Sequence, residues 1–178
     1  MKVAFIGHSK FGDKVDRDLL EQKVQNTIEK LITEDGADEF LFGEMTGFDS
    51  MCYIIVSQLK EKYPQIKRVF ISQFGEPNRQ IQNSLNEYFE VCKYPIPAST
   101  MRKKPQIERN QIMIDESDLL IAYYDKDYKP EFEYFEEIIF TQTDNNTPPL
   151  SKTKIALTYA FKKDKKFINL FSGENSNV

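Results

Sequence analysis

The sequence predicts an α/β protein with a mainly parallel sheet. Short apolar runs alternate with segments whose apolar residues recur at helical spacing, the pattern of strand–helix–strand units. The chain has 178 residues, of which 40% are hydrophobic, enough for one sizeable core at about 150 residues per domain. Both observations favour one domain in which helices connect the strands.

The first part of the chain supplies two strands and the helix between them. Residues 3–6 form an apolar run that Gly7 stops, and apolar residues recur at helical spacing from 17 to 34. Gly36 suits the left-handed conformation that often ends a helix. A second short run, residues 39–42, is again closed by a glycine.

The middle of the chain is less clear. A helix with an apolar stripe over residues 52–59 must end before Pro64, because proline disfavours helical backbone at the residue before it. Residues 68–72 are predicted as a third strand and 78–90 as a helix. Residues 94–104 contain two prolines and are predicted as a loop.

The last part supplies two further strands and two helices. Pro105 suits the first residue of a helix that runs to residue 116. Residues 119–124 carry no charge, as expected of a central parallel strand. Residues 151–163 are predicted as a last helix and residues 167–171 as a fifth strand.

The segment 125–150 is longer than most connections between a strand and a helix, which favours a functional insertion. Residues 1–173 are therefore predicted to form one domain with a long insertion at 125–150. Residues 174–178 are predicted as a flexible tail. The acidic and aromatic middle of the insertion is a candidate contact surface for a protein partner or for a second copy in a homodimer.

Composition excludes several functions. Asp and Glu outnumber Lys and Arg by 28 to 24, and the net charge of −4 disfavours nucleic acid as a partner. One histidine and two cysteines rule out a metal site with several such ligands, and no cofactor is predicted. No apolar stretch approaches the roughly 20 residues of a transmembrane helix, so we expect a cytoplasmic protein with no membrane partner.

Candidate ligand-binding residues follow the predicted strands, because ligands of open α/β sheets bind beyond the carboxyl ends of the strands. They come from the loops after the first two strands, from the start of the last helix and from the helix before the fourth strand. The candidates are Gly7, His8, Ser9, Gly43, Glu44, Gly47, Asp49, Arg109, Ser151, Thr153 and Lys154.

The loop after the second strand has two glycines four residues apart, followed by a carboxylate. Gly43 and Gly47 would let backbone N–H groups approach a phosphate or a sugar beside the positive end of a helix. Asp49 then either bonds a ribose hydroxyl or accepts hydrogen bonds from local amides. The spacing leaves both interpretations open.

Two other candidate groups also have structural alternatives. Arg109 either reaches a phosphate in the cleft or pairs with a nearby acid, Glu108, Asp115 or Glu116. The hydroxyls and lysines of residues 151–154 suit a phosphate, although a serine N-cap explains the first of them equally well.

Four ring-bearing residues lie near the same strand ends. His8 could contact a ligand or act as a base. The alternative is an ordinary loop histidine, which the lack of a visible acid or nucleophile partner favours. Tyr123, Tyr124 and Tyr128 are interpreted as core and rim aromatics, with base stacking as the alternative.

Five short motifs, taken in their order and spacing, carry a resemblance to a known family. They are Phe5-Ile6-Gly7-His8, Phe42-Gly43-Glu44-Met45-Thr46-Gly47-Phe48-Asp49-Ser50, Glu61-Lys62-Tyr63-Pro64, Glu108-Arg109-Asn110-Gln111 and Ser151-Lys152-Thr153-Lys154-Ile155-Ala156. The chain resembles the SLOG superfamily, the Rossmann-like group that contains the lonely-guy enzymes and the DNA-processing A proteins, and within it the YpsA-like family. The resemblance implies a three-layer, Rossmann-like open parallel sheet with helices on both faces, and a pocket for a nucleotide or nucleotide-derived ligand.

The resemblance also assigns roles to single residues and marks one departure. The catalytic arginine of lonely-guy enzymes would fall on Arg109, and a threonine of their phosphate loop on Thr153. The glutamate three residues later would fall on Ala156, which can neither stabilise an oxocarbenium-like state nor activate water. Glu44 stands where the family usually has glycine, and it either supplies a replacement carboxylate or repels a phosphate from that loop.

The predicted function is therefore binding or sensing of a nucleotide or nucleotide-derived small molecule, without strong hydrolase activity. The alternative is a nucleoside 5′-monophosphate phosphoribohydrolase, an N-glycosidase of the lonely-guy type. In that alternative Arg109 and a carboxylate, Glu44 or Asp49, are catalytic.

Overall fold

The computed structural model describes residues 1–12, 15–43, 45–95, 105–127 and 151–171. The strands in this part of the chain are β1 (Lys2–Gly7), β2 (Glu39–Phe42), β3 (Lys67–Ile71), β4 (Val91–Lys93), β5 (Leu119–Tyr123) and β6 (Lys166–Asn169). The helices are α1 (Arg17–Glu34), α2 (Gly47–Lys62), α3 (Arg79–Tyr88), α4 (Pro105–Glu116) and α5 (Lys152–Lys162).

The six described strands form one parallel sheet in the order β4-β3-β2-β1-β5-β6. The chain builds outward from β1 to β4 and then returns to place β5 on the other side of β1. The strand order therefore reverses between β1 and β5, where open α/β sheets open a crevice at their carboxyl edge. The predicted fold class, a Rossmann-like open parallel sheet, is confirmed.

Helices cover both faces of the sheet. Val3 and Phe5 of β1 pack into an apolar cluster with α1 and α2. Ala4 and Ile6, which alternate with them, pack into a second cluster with α4 and α5. Burial on both faces explains why the central strands are continuous apolar runs rather than alternating ones.

Strand β4 is the element that the sequence did not reveal. It has only three residues, too few for a recognisable period, and it pairs with β3 at the edge of the sheet. An ion pair fixes its start: Arg68 donates from Nη2 to Glu90 Oε1 at 2.7 Å and from its backbone N–H to Glu90 Oε2 at 2.7 Å. These bonds join residues 22 positions apart, so no local sequence pattern predicts them.

Glu90→Gln should remove an acid-sensitive part of the stability. Burial raises the pKa of Glu90, but the hydrogen bonds and the charge of Arg68 outweigh burial, so the pKa lies below its ordinary value of 4.5. Such a carboxylate stabilises the fold above its unfolded-state pKa, and the contribution is lost as the pH falls through the folded-state pKa. Between about pH 6 and about pH 3, urea titrations should show a loss on the order of 1 kcal/mol larger for the wild type than for the variant.

The matched control is Glu87→Gln, which removes the same charge from an exposed position of α3. This variant should keep the pH dependence of the wild type. If Glu90→Gln keeps it as well, the pair with Arg68 does not contribute to stability.

Several predictions fall on residues outside the described ranges. They concern Glu44, Tyr128, most of the insertion 125–150 and the tail 174–178, and they stay predictions. Among the described helices, none has both the length and the apolar character to cross a membrane.

Candidate functional site

A small polar cavity lies at the carboxyl ends of β1 and β2, beside the start of α2 and against α4. Its volume is about 30 Å³. We call it the Arg109 cavity; it is lined by Phe5, Ile6, Gly7, Gly43, Thr46, Asp49, Arg109, Asn110 and Met113. Four residues predicted from three separate motifs therefore meet in one place: Gly7, Gly43, Asp49 and Arg109.

Arg109 reaches the cavity from α4 and is almost completely buried, with 3% of its surface exposed. Among its contacts, Nη2 donates to Asn110 Oδ1 at 2.9 Å and Nη1 donates to Gln73 Oε1 at 3.4 Å. Two of the acids considered as its partners are engaged elsewhere, since Asp115 pairs with a lysine of the α5–β6 turn and Glu116 with a lysine of β4. The guanidinium lines the cavity.

The position of the Arg109 guanidinium explains why residue 43 is a glycine. A Cβ atom on Gly43 would lie 2.5 Å from Arg109 Nε and 2.8 Å from Cζ, closer than non-bonded atoms approach. The missing side chain therefore makes room for the guanidinium, a role for this glycine that its spacing did not indicate.

Asp49 lies in the first turn of α2 and accepts hydrogen bonds from the loop before it. Its Oδ2 accepts from the N–H of Met45 at 2.7 Å and from the N–H of Gly43 at 3.2 Å. This is the local-amide alternative left open by the sequence. The carboxylate therefore accepts hydrogen bonds from amides of the β2–α2 loop, the loop whose amides the glycine pattern predicted to bind a phosphate or a sugar.

Asp49→Ala should lower the free energy of unfolding by about 2–3 kcal/mol, because two amides in a buried loop lose a charged acceptor. Asp49→Asn, which keeps one amide-accepting oxygen, should cost less than half of that. Urea denaturation measures both differences. The control is Asp18→Ala, an exposed aspartate in the first turn of α1; equal effects of Asp18→Ala and Asp49→Ala would contradict the loop-anchoring role.

The loop after β1 packs against the start of α2. A Cβ atom on Gly7 would lie 2.6 Å from the ring of Phe48, and one on Gly47 would lie 2.3 Å from the backbone oxygen of Ser9. Gly47 also has a φ of +50°, a conformation that favours glycine. Both glycines are thus required by close packing within the protein.

His8 belongs to the same loop and is completely buried. Its Nε2 lies 3.1 Å from the backbone N of Asp125, and its ring lies 5.6 Å from that of Tyr124. The contact with Asp125 joins the loops that follow β1 and β5, across the point where the strand order reverses. His8 is a loop histidine, as one interpretation held, but a buried one that ties two loops together.

The described residues at the start of α5 are not among those that line the Arg109 cavity. Ser151 is the N-cap, and its Oγ accepts from the N–H of Lys154 at 3.1 Å, as the N-cap alternative required. Thr153 is buried and Lys154 is exposed. Ala156 packs into the apolar cluster beneath α4 and α5.

Sequence reasoning missed two polar residues that line the Arg109 cavity, Thr46 and Asn110, and one residue that contacts Arg109, Gln73. Thr46 and Asn110 lie inside two of the recognised motifs, but only their neighbours in those motifs were predicted to bind a ligand. Gln73 follows β3, and the same carboxyl-end rule would have found it had the loop after that strand been considered.

The tyrosines differ in their surroundings. Tyr123 is 2% exposed and stacks on Phe48 with ring centroids 5.6 Å apart, so it is a core residue. Tyr124 is half-buried, and burial together with the charges of Asp125 and Asp127 raises the pKa of its hydroxyl. That hydroxyl therefore stays protonated at neutral pH.

The two cysteines are free thiols. Burial, with a further contribution from the charge of Asp49, raises the pKa of Cys52 well above its ordinary value. A protonated, buried thiol is a poor nucleophile. In the described part of the chain, no group of three or more His, Cys, Asp or Glu residues is placed to hold a metal ion.

A larger cleft, of about 720 Å³, lies on the α1 side of the sheet beside the ends of β5 and β6. Its charged lining residues within the described ranges are Asp16, Lys23, Asp125 and Asp127. None of the predicted ligand-binding residues lines it.

A parallel sheet whose order reverses beside its first strand, with a polar cavity at the carboxyl edge, defines a Rossmann-like α/β protein. The sequence profile of the YpsA family, described as the YspA SLOG family, matches residues 11–156. The chain therefore belongs to the YpsA family of SLOG proteins, which confirms the resemblance carried by the motifs.

The sequence identities to individual relatives are low. The chain is 28% identical over 124 residues to the SPbeta prophage-derived protein YoqJ of Bacillus subtilis (strain 168), covering 60% of this chain and 72% of YoqJ. It is 28% identical over 107 residues to a UPF0398 protein of Bacillus cereus, covering 55% of this chain and 58% of that protein. A UPF0398 protein of Halalkalibacterium halodurans is 25% identical over 114 residues, 60% of each chain.

Among solved structures, DNA processing protein A from Helicobacter pylori is similar with a TM-score of 0.52 and 15% identity. The match covers 94% of this chain and 63% of that chain. That structure was described for its single-stranded DNA binding mode. At this identity the likeness concerns the fold alone.

Proposed function

We propose that this protein binds a nucleotide or a nucleotide-derived ligand whose anionic group contacts Arg109. The observation that carries the proposal is a guanidinium, 3% exposed, that lines a polar cavity at the carboxyl edge of a Rossmann-like sheet. Arginine is almost never this buried unless it is paired, and its planar donors match the geometry of a phosphate.

The size of the cavity limits what enters it. About 30 Å³ is the share of liquid volume of a single water molecule, so the cavity takes one phosphate oxygen or hydroxyl rather than a whole nucleotide. The rest of the ligand would lie outside, over the carboxyl edge. There the first turn of α5 offers backbone N–H groups and lysine charges that suit a phosphate.

The larger cleft beside α1 is a poorer site for an anion. Of its charged lining residues in the described ranges, three are aspartates and one is a lysine. Carboxylates repel a phosphate, whereas a buried guanidinium attracts it. The described charges that line the Arg109 cavity, Arg109 and Asp49, balance one another, so this cavity is less unfavourable to an anion than the cleft is.

The residues of α5 favour binding of the ligand without strong hydrolase activity. Ala156 is 3% exposed and belongs to the apolar core, so this position supplies no carboxylate to a bound sugar. Incubation with AMP followed by chromatography for free adenine tests this point. Turnover that Arg109→Ala abolishes would replace the binding proposal by the phosphoribohydrolase alternative.

The direct test is calorimetry of the folded protein with AMP, ADP, NAD and ADP-ribose. We expect saturable binding of at least one of them below millimolar concentration. No binding of any of the four in that range would contradict the proposal.

Retention on single-stranded DNA is the outcome that would point instead to the activity described for DNA processing protein A. The net charge of −4 disfavours it. Binding of an oligonucleotide at physiological salt, with no binding of mononucleotides, would move the proposed function to nucleic acid.

A further inference from the structure

An exposed aromatic ring lies next in sequence to a residue of the Arg109 site. Phe74 follows β3 and is 64% exposed, the highest value among the exposed large apolar side chains of the described residues. We propose that Phe74 is the platform on which the ring of the ligand stacks, so that the ligand is a phosphate joined to a nucleobase or a similar flat heteroaromatic group. This inference rests on the proposed function and names the ligand's second recognition element.

The backbone that leads into Phe74 is held in place by two hydrogen bonds through Ser72. Its N–H donates to Ser72 Oγ at 3.0 Å, and Ser72 is itself buried and donates its N–H to the carbonyl of Lys93 at 2.9 Å. The exposed ring is therefore attached to an anchored turn at the carboxyl edge of the sheet.

The same turn touches the guanidinium. Arg109 Nη1 donates to Oε1 of Gln73, the residue before Phe74, at 3.4 Å. Consecutive Cα atoms lie about 3.8 Å apart, so the backbone of Phe74 is one residue from a group in contact with Arg109. A ligand whose phosphate contacts Arg109 and whose body leaves the small cavity over the β3 side would meet this ring.

Of the three tyrosines that the sequence singled out, the two that the structure describes are engaged within the fold. Tyr123 is buried against Phe48, and Tyr124 is half-buried beside His8. Stacking needs an accessible face, and every nucleobase offers one to an aromatic side chain. Phe74 supplies that face at the edge where the proposed phosphate contact lies.

The test compares AMP with ribose 5-phosphate, which lacks the base. Phe74→Ala should weaken AMP binding roughly 5- to 150-fold, the range of base–aromatic stacking, while leaving the affinity for ribose 5-phosphate unchanged in calorimetry. The matched control is Phe161→Ala, an exposed phenylalanine near the far end of α5. Both variants change surface side chains and should keep the thermal stability of the wild type.

A second readout uses the absence of tryptophan from the sequence. Phe74→Trp introduces a single fluorophore at the proposed platform, and Phe161→Trp introduces one at the control position. Saturating AMP should quench the fluorescence of Phe74→Trp and leave that of Phe161→Trp unchanged. Ribose 5-phosphate should quench neither.

The outcomes separate this inference from the function on which it rests. If the wild type binds AMP and Phe74→Ala binds it equally well, or if Phe74→Trp is not quenched, the stacking role is wrong and the function stands. Equal weakening of AMP and ribose 5-phosphate by Phe74→Ala would also overturn stacking, because it would indicate an effect through Gln73 and Arg109. A wild type that binds no nucleotide overturns both.

Discussion

Gly47→Ala should lower the free energy of unfolding by about 3 kcal/mol or more, the largest stability effect we expect. A non-glycine residue in the left-handed conformation costs about 1–3 kcal/mol, and Gly47 has a φ of +50°. Overpacking adds about 1–3 kcal/mol, because the new Cβ would lie 2.3 Å from the Ser9 carbonyl oxygen, a backbone atom that cannot rotate away. Urea denaturation of the wild type and the variant measures the difference.

Gly36→Ala separates the two contributions. Gly36 also has a positive φ, +68°, but a Cβ atom there would meet nothing within 4 Å. Only the conformational cost applies, about 1–2 kcal/mol. If the two substitutions destabilise the protein equally, the close approach of Gly47 to the loop after β1 does not constrain the fold.

Arg109→Ala should weaken nucleotide binding roughly 30-fold or more, the range for removing one partner of a buried charged contact. The guanidinium is the charged group that reaches the cavity from α4, and its burial strengthens any hydrogen bond that it donates. Arg109→Lys should also bind weakly, because lysine lacks the planar, two-pronged donor geometry. Calorimetry with the nucleotide that binds the wild type best measures both variants.

The control for Arg109→Ala is Lys67→Ala. It removes the same charge from an exposed residue at the amino end of β3, the edge of the sheet opposite the site. Its affinity should equal that of the wild type. Unchanged binding by a folded Arg109→Ala variant would contradict the assignment of the ligand's anionic group to this cavity.

Local patterns were sufficient for most of the fold. Helices α1, α2, α4 and α5 and strands β1, β2, β3 and β5 lie within a few residues of their predicted positions. Their signals are the spacing of apolar residues and the glycines and prolines at their ends. Strand β4 has three residues at the sheet edge, too short for a period, and its pairing with β3 depends on residues that are distant in the sequence.

The sequence predicted that several candidate residues meet at the carboxyl edge of the sheet, but not how they contact one another. The carboxyl-end rule brought Gly43, Asp49 and Arg109 together correctly. The sequence predicted that Gly43 lets backbone amides approach a phosphate or a sugar. In the structure, the missing side chain of Gly43 makes room for the guanidinium of Arg109. The sequence left Asp49 open between a ribose and local amides, and the structure shows the amide contacts.

Residues in the loop after β3 carried no motif at all. Gln73 is an ordinary glutamine in sequence and becomes a partner of Arg109 only because β3 ends, and α4 begins, at the same edge of the sheet. Phe74 is one of 14 phenylalanines, and only the folded chain shows that its ring is exposed next to a residue that contacts Arg109.

The sequence by itself determined the class of fold, the family and the edge of the sheet where chemistry is expected, because these follow from apolar periodicity, turn residues and short motifs. Tertiary structure alone decided that Gly43 faces Arg109 and that His8 meets Asp125. Those contacts join residues 66 and 117 positions apart. Packing of the helices on the sheet sets such distances to a few tenths of an ångström, and no property of neighbouring residues encodes them.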